Sequence, residues 1–281
     1  ARLHVGLQGV GLLDAAWQKA NAYAHERRQM RAPKAAGVKG EPTDFIIEHP
    51  AMRRILDTQR AWIDGSRVLA YQTGLALDIA KHHPDTAQRE SAQRWCALTT
   101  PILKAACTEQ GFHGASDCLQ VFGGHGYVSE WGIEQNVRDA RIAMIYEGTN
   151  EIQAIDLLMR KVLGDGGTSL NAMLDELSAG LDANSVHEAH VLALFQQLRD
   201  ITQEATQVNT RADGNVTLSW IAGDYLRLAT LALLAWSWTR IEAAQPTDAA
   251  RWHAPGAALR AWVLPEFEMR VNIIRAQFKP A

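Results

Sequence analysis

A chain of 281 residues with 47% hydrophobic and 21% charged residues has the make-up of a soluble globular protein, with enough apolar mass for one large or two ordinary domains. Its formal net charge of −3 removes the electrostatic case for a nucleic-acid or membrane-surface partner, because phosphate binding needs a net basic face. Three scattered cysteines, Cys96, Cys107 and Cys118, lack CxxC spacing; they indicate neither a disulfide framework nor a thiolate zinc site and fit a reducing cytoplasm.

The opening Ala1-Arg2-Leu3 already lies inside a helical pattern, no basic and apolar signal peptide precedes it, and it reads as a cut edge. Over residues 2–28, apolar Val5, Leu12, Ala16, Ala20 and Tyr23 recur at three- and four-residue steps, which predicts a helix. Pro33, Gly37, Gly40 and Pro42 make residues 30–44 a surface loop. Pro50, tolerated in a first turn, opens a second helix that runs to about Lys81 and stops at His82-His83-Pro84. Asp85 with Gln88 resembles a capping box and starts a third helix toward Val121, with Pro101 as its predicted kink. A backbone-rich bend from Phe122 through Gly123, Gly124 and His125 to Gly126 follows, then a short helix over 132–144. A second break at Tyr146-Glu147-Gly148-Thr149 precedes a helix capped by Asn150 with Gln153 and reaching Leu163.

The cluster Gly164-Asp165-Gly166-Gly167 marks the predicted boundary between residues 1–165 and 168–281. Beyond it, helical patterns cover 169–181, 185–210, 218–243 and 257–278. Ser185 and Glu188 form a predicted capping box, Pro246 and Pro255 punctuate, and Pro265 predicts a kink. The most apolar run, 226–238, is interrupted by Arg227 and bounded by Asp224 and Arg240; it is too short for an uninterrupted membrane span and reads as a core helix. With no sustained strand alternation, the predicted fold class is all-α: an up-and-down four-helix bundle followed by a second helical bundle.

Two breaks close together around a carboxylate suggest a site. Glu147, between apolar neighbours and a glycine, can face a cavity, and burial would raise its pKa toward that of a general base. Alternatively it accepts backbone N–H groups at the start of the next helix, a reading its immediate neighbours favour. Gly123-Gly124-His125-Gly126 can present N–H groups to a phosphate or carbonyl, or simply end a helix. Arg27 and Arg28 either complement a helix dipole or hold a pyrophosphate. His82-His83 and His187 with His190 lack the further ligands of a metal site, so no metal is expected. Trp220, Trp236, Trp238, Trp252 and Trp262 read as packing residues.

The order of these segments is more specific than any one of them. Gln120-Val-Phe-Gly-Gly-His-Gly-Tyr, then Val137-Arg-Asp-Ala-Arg, then Ile145-Tyr-Glu-Gly-Thr-Asn-Glu-Ile-Gln153 resembles the carboxy-terminal helical domain of the acyl-CoA dehydrogenases. The resemblance extends back through Gln8-Gly-Val-Gly11 and Tyr23-Ala-His-Glu-Arg27 and covers most of residues 1–163. It implies a fragment of a longer chain whose preceding helical and β-barrel domains are absent, inactive and without cofactor by itself. The implied reaction is FAD-dependent α,β-dehydrogenation of an acyl-CoA thioester: Glu147 removes the α-proton and the β-hydrogen leaves as hydride. The resemblance further implies that the Glu147 backbone N–H polarises the thioester carbonyl, with Gly148 against the acyl chain and Arg2 near substrate and base. Thr149 and Glu151 lie near the flavin; Arg27 contacts the FAD pyrophosphate of a neighbouring subunit, and Gln120, Gly123 and Gly124 receive its adenine half. A site shared in this way implies a homodimer or homotetramer.

Two departures stand out. Met30 occupies a position where an aromatic is usual, and the loop over 30–44 is long. The region after Gly167, with Ile46-Ile-Glu-His-Pro50, is similar to the long subgroup that includes 3-methylmercaptopropionyl-CoA dehydrogenase. Neither acyl chain nor electron acceptor follows from this likeness. The rival readings are an acyl-CoA oxidase, a DNA-binding flavoprotein relative, which the slightly acidic charge disfavours, and a purely structural bundle.

Overall fold

The computed structural model describes residues 1–33, 41–244 and 248–279, so residues 34–40 of the long loop after Met30, with Gly37 and Gly40, and Pro246 lie outside the described residues. The described chain is all-α, with a single isolated antiparallel bridge between Arg28 and Phe45. Helix α1 spans Arg2–Glu26, α2 Pro50–His82, α3 Thr86–Val121 and α4 Ile133–Ala143. α1, α2 and α3 pack side by side, and α4 lies across α1 and α3. The α1–α3 contact is made at backbone distance through small residues. A Cβ on Gly9 would sit 2.3 Å from the Cys107 carbonyl oxygen, so glycine is what lets the two helices touch.

Pro50 occupies the first turn of α2 as expected, where its missing N–H has no partner to lose. Asp85 caps α3 by accepting from the Ala87 N–H at 2.8 Å, but Gln88 does not reciprocate; the Asp85 N–H turns to His83 Nδ1 at 3.1 Å. Pro101 lies inside α3 and the helix runs through it.

After α4, helix α5 (Asn150–Ile155) continues as a wide π-helical segment, Asp156–Val162. Its cap is Thr149, whose Oγ1 accepts from the Ile152 N–H at 3.4 Å, rather than the expected Asn150, whose side chain turns inward to α3. Gly166 and Gly167 both have positive φ, 65° and 84°, and redirect the chain.

The remaining helices are α6 (Thr168–Ser178), α7 (Val186–Val208), α8 (Gly214–Ala243), α9 (Ala249–Ala258, extended by the π-helical Leu259–Val263) and α10 (Glu266–Phe278). α8 starts four residues before the periodicity predicts, α9 begins earlier than expected with Pro255 inside it, and Pro265 starts α10 after a turn rather than kinking one helix. Ser185 makes no side-chain cap; Glu188 instead accepts the Asp182 N–H at 2.7 Å.

α8 is long and apolar enough to cross a bilayer by length and composition alone, yet 72% of its most apolar stretch is buried among other helices. It packs on α2, α3 and α5 as well as on α7 and α10, so one apolar core runs through both halves of the chain. Trp238, 1% exposed, donates its Nε1–H to the Ala61 carbonyl on α2 at 3.0 Å and lies over Gly65. Trp236 is likewise buried, but Trp220 and Trp262 are 77% and 54% exposed, so not every tryptophan is a core residue. Trp262 lies beneath the Arg54 guanidinium at 4.1 Å, a cation–π contact that suits a half-exposed ring.

Candidate functional site

The break after α4 is a tight loop closed on itself. The Ile145 N–H donates to the Ile142 carbonyl at 3.0 Å, and the Asn150 N–H reaches back to the Met144 carbonyl at 3.2 Å. Between them Glu147 adopts φ +56°, left-handed backbone that a side chain disfavours, followed by Gly148 at φ +86°. This geometry turns the Glu147 side chain outward, and it is exposed. The burial that its apolar neighbours suggest is not supplied by this chain, because Ile142, Ile145, Tyr146, Ile152 and Ile155 around the loop are themselves exposed. Capping of α5 falls to Thr149, which removes the bland role considered for Glu147.

Side chains hold the loop at several points, one of them the Tyr146 hydroxyl, which donates to Gln8 Oε1 on α1. Gln153, 2% exposed, donates through Nε2 to the Glu147 and Gly148 carbonyls at 3.3 and 3.4 Å. Its Oε1 accepts from Arg2 at 3.0 Å, and Arg2 also pairs with Asp156 at 2.9 Å. Arg2 therefore does reach the Glu147 loop, through Gln153. From α3, fully buried Lys104 donates to the Met144 carbonyl at 3.3 Å and to Asn150 Oδ1 at 3.1 Å. Burial pushes the Lys104 ammonium below the usual lysine range against the opposing pull of Glu151. A hydrogen bond with Thr149 and one with its own N–H hold the Glu151 carboxyl below the usual range, with Lys104 and Arg141 assisting. Thr149 and Glu151 are thus brought together at the mouth of α5.

The second group of expected residues lines a cleft of about 570 Å³ between the end of α1, the start of α2 and the glycine bend after α3. Arg27, Gln120, Gly123 and Gly124 all face it, and no residue of the Glu147 loop does. Gly123 has φ +57°, and a Cβ on either glycine would meet no heavy atom within 4 Å, so the bend offers open backbone. Behind it Tyr23 stacks on Phe122 with ring centroids 4.3 Å apart, and its hydroxyl shares a 2.9 Å hydrogen bond with His125 Nδ1. His125 in turn stacks on Trp131. The two arginines considered together in the sequence separate here. Arg28 is bound to the Thr43 carbonyl and lies over the Phe45 ring, while Arg27 is exposed at the cleft. Met30, also at the cleft, has φ +57° and is 69% exposed.

Among the described residues no group of three or more His, Cys, Asp and Glu is placed to hold a metal ion. The buried thiols are poor nucleophiles: burial pushes Cys107 up to about 12 and raises Cys118 further. Sequence reasoning missed Lys104, Asp156 and the inward role of Asn150. The one available signal was a lysine inside the apolar run from Pro101 to Ala106.

The all-helical chain thus presents one carboxylate on a strained loop and, separately, an open glycine bend beside an arginine. The chain belongs to the acyl-CoA dehydrogenase family: residues 1–162 match its C-terminal domain. It is 44% identical over 179 residues to 3-methylmercaptopropionyl-CoA dehydrogenase of Ruegeria pomeroyi, covering 64% of this chain and 30% of that protein. It is 32% identical over 189 residues to the broad-specificity linear acyl-CoA dehydrogenase FadE5 of Mycobacterium tuberculosis, covering 66% and 30%. The chain thus corresponds to under a third of the length of these relatives. In fold it is similar to an acyl-CoA dehydrogenase complexed with FAD from Bacillus anthracis (TM-score 0.76, 18% identity, 100% of this chain and 49% of that one). It is equally similar to acyl-CoA oxidase3 from Yarrowia lipolytica (TM-score 0.76, 18% identity, 99% and 45%).

Proposed function

We propose that this chain is the base-bearing helical part of an FAD-dependent enzyme that removes hydrogen from Cα and Cβ of an acyl-CoA thioester, with Glu147 accepting the α-proton. The observation that carries the reading is the Glu147 loop. A non-glycine residue held in left-handed backbone, pinned by buried side chains and ringed by exposed isoleucines, suits a carboxylate that is covered only when substrate and the rest of the enzyme close over it. Desolvation at that moment strengthens the base, and the Glu147 N–H can polarise the thioester oxygen as charge develops. Gly148 leaves room for the acyl chain, and Arg2 steadies the loop through Gln153.

The residues of the cleft fit FAD. Open backbone at Gly123 and Gly124 admits a planar ring, Gln120 offers an amide, and the exposed Arg27 suits a pyrophosphate. When bound, FAD supplies the hydride acceptor for Cβ. Because the cleft shares no residue with the Glu147 loop, we read Arg27, Gln120, Gly123 and Gly124 as serving a second subunit's cofactor, and Thr149 with Glu151 as serving the chain's own, which calls for a homodimer or homotetramer. The chain by itself then neither turns over nor retains FAD. Its free, unpaired cysteines suit a cytoplasmic setting.

The test is Glu147→Gln in the full-length holoenzyme, read by flavin bleaching with acyl-CoA. Turnover should fall about 10²–10⁴-fold, the usual contribution of a positioned general base; a variant within tenfold of the parent would remove Glu147 from the chemistry. The fold likeness to oxidases supports a second reading, in which oxygen reoxidises the flavin. Stoichiometric peroxide release in the same assay would favour it.

A further inference from the structure

Lys104 is a charged side chain with 0% exposure, on a helix that otherwise buries apolar and small residues at this level. Its ammonium does not pair with a carboxylate at hydrogen-bond distance. It is spent on the two ends of one loop: the carbonyl of Met144, just after α4, at 3.3 Å, and the side-chain oxygen of Asn150, in the first turn of α5, at 3.1 Å. The same Asn150 oxygen accepts the Thr108 hydroxyl at 3.1 Å, and its amide nitrogen donates to the Ala105 carbonyl at 3.2 Å. The Asn150 N–H closes the ring onto the Met144 carbonyl at 3.2 Å. α3 therefore grips both feet of a loop whose tip, Glu147, is held in disfavoured backbone.

We propose that Lys104 is a positioning residue for the proposed reaction: by tying Met144 to Asn150 it holds the Glu147 loop in the left-handed conformation that presents the carboxylate. An apolar side chain of similar length would fill the same space without the cost of burying an ammonium, but would leave the Met144 carbonyl and the Asn150 oxygen each with one donor fewer. Strained backbone persists only where its surroundings over-determine it, and among the described residues Lys104 is the side chain that hydrogen-bonds to both ends of the loop. The further side-chain contacts fall between those two ends: Gln153, bound by Arg2, donates to the Glu147 and Gly148 carbonyls, and the Tyr146 hydroxyl donates to Gln8 Oε1 on α1, so neither duplicates the tie between Met144 and Asn150.

This inference rests on the base role of Glu147, and its test separates the two. In the full-length holoenzyme, Lys104→Met should leave KM for acyl-CoA within about threefold while kcat falls about tenfold or more, the split expected when a competent geometry becomes a minor population. Backbone amide exchange at Ile145, Tyr146 and Asn150 should quicken about tenfold relative to α1 and α2. Asn150→Ala, which removes the side-chain acceptor and leaves α3 intact, should reproduce both effects, and the double variant should add less than about twofold. Unchanged loop exchange and kcat in Asn150→Ala, or in a folded Lys104→Met, overturns the proposal and leaves Lys104 as a core filler. The exchange measurement judges the clamp even if Glu147→Gln retains turnover and the base assignment fails.

Discussion

Replacing Gly148 with alanine tests how much the conformation of the Glu147 loop matters. Gly148 has φ +86°, and an L-residue forced into the left-handed region costs about 1–2 kcal/mol. The new Cβ would sit 2.7 Å from Gln153 Nε2, so that amide must swing away and give up its bonds to the Glu147 and Gly148 carbonyls. At 3.3 and 3.4 Å these bonds are long, and together contribute about 1 kcal/mol. The sum, about 2–3 kcal/mol, is charged to the presenting conformation alone, because neither Gly148 nor the loop tip lies in the core. If the loop relaxes rather than the protein unfolding, the competent population falls about 30- to 150-fold. Stopped-flow flavin bleaching of the full-length Gly148→Ala holoenzyme should show that loss in the rate of reduction, with the thermal midpoint shifted by only a few degrees. A rate within threefold of the parent would refute the view that this backbone conformation presents the base. A rate loss that merely follows global unfolding would refute it equally.

Two further outcomes follow from the packing. Trp238→Ala removes a 1%-exposed ring and its hydrogen bond to Ala61 at the joint between α8 and α2; chemical denaturation should register a loss of about 3–5 kcal/mol, and less than about 1 kcal/mol would mean the joint is not cohesive. Burial pulls the Glu266 carboxyl up, but the hydrogen bonds and charges of Arg227 and Arg270 together outweigh it and hold the group below its ordinary 4.5. A carboxyl with a depressed folded-state pKa stabilises above its unfolded value and loses that contribution as pH falls through the folded one. The urea midpoint should therefore drop as pH is lowered below about 4.5, and Glu266→Gln should flatten that part of the profile; an unaltered profile would remove Glu266 from the linkage.

The helices themselves were legible because apolar spacing of three and four residues needs no knowledge of partners: α1, α2, α3 and α4 lie within a residue or two of where periodicity places them. α9 was not. Its stretch of alanines with Pro255 carries little apolar contrast, and what makes it helical is docking against α2. Caps were legible only in part. Asp85 caps as its neighbours predict, whereas Asn150 and Ser185 do not, because a short polar side chain takes whichever partner tertiary packing brings nearest.

The candidate site divides along the same line. Glu147, Arg27, Gln120, Gly123 and Gly124 became candidates only through the family resemblance that the order of the segments carries, since taken singly each residue fits an ordinary cap or turn. That Arg27 faces an open cleft while Arg28 is bound to Thr43 and Phe45 could not be read, because adjacent residues on a chain end differ only in what folds against them. Lys104 is the sharpest case: its place inside an apolar run hints at burial but names no partner, and only the approach of residues 144–150 to α3 turns it into a buried clamp. Sequence by itself determined most of the helices and supplied the candidate groups for chemistry, because both are read from local pattern. Tertiary structure decided which of those groups are buried, which are free and which hold others in place, because those properties arise from contacts between residues far apart in the chain.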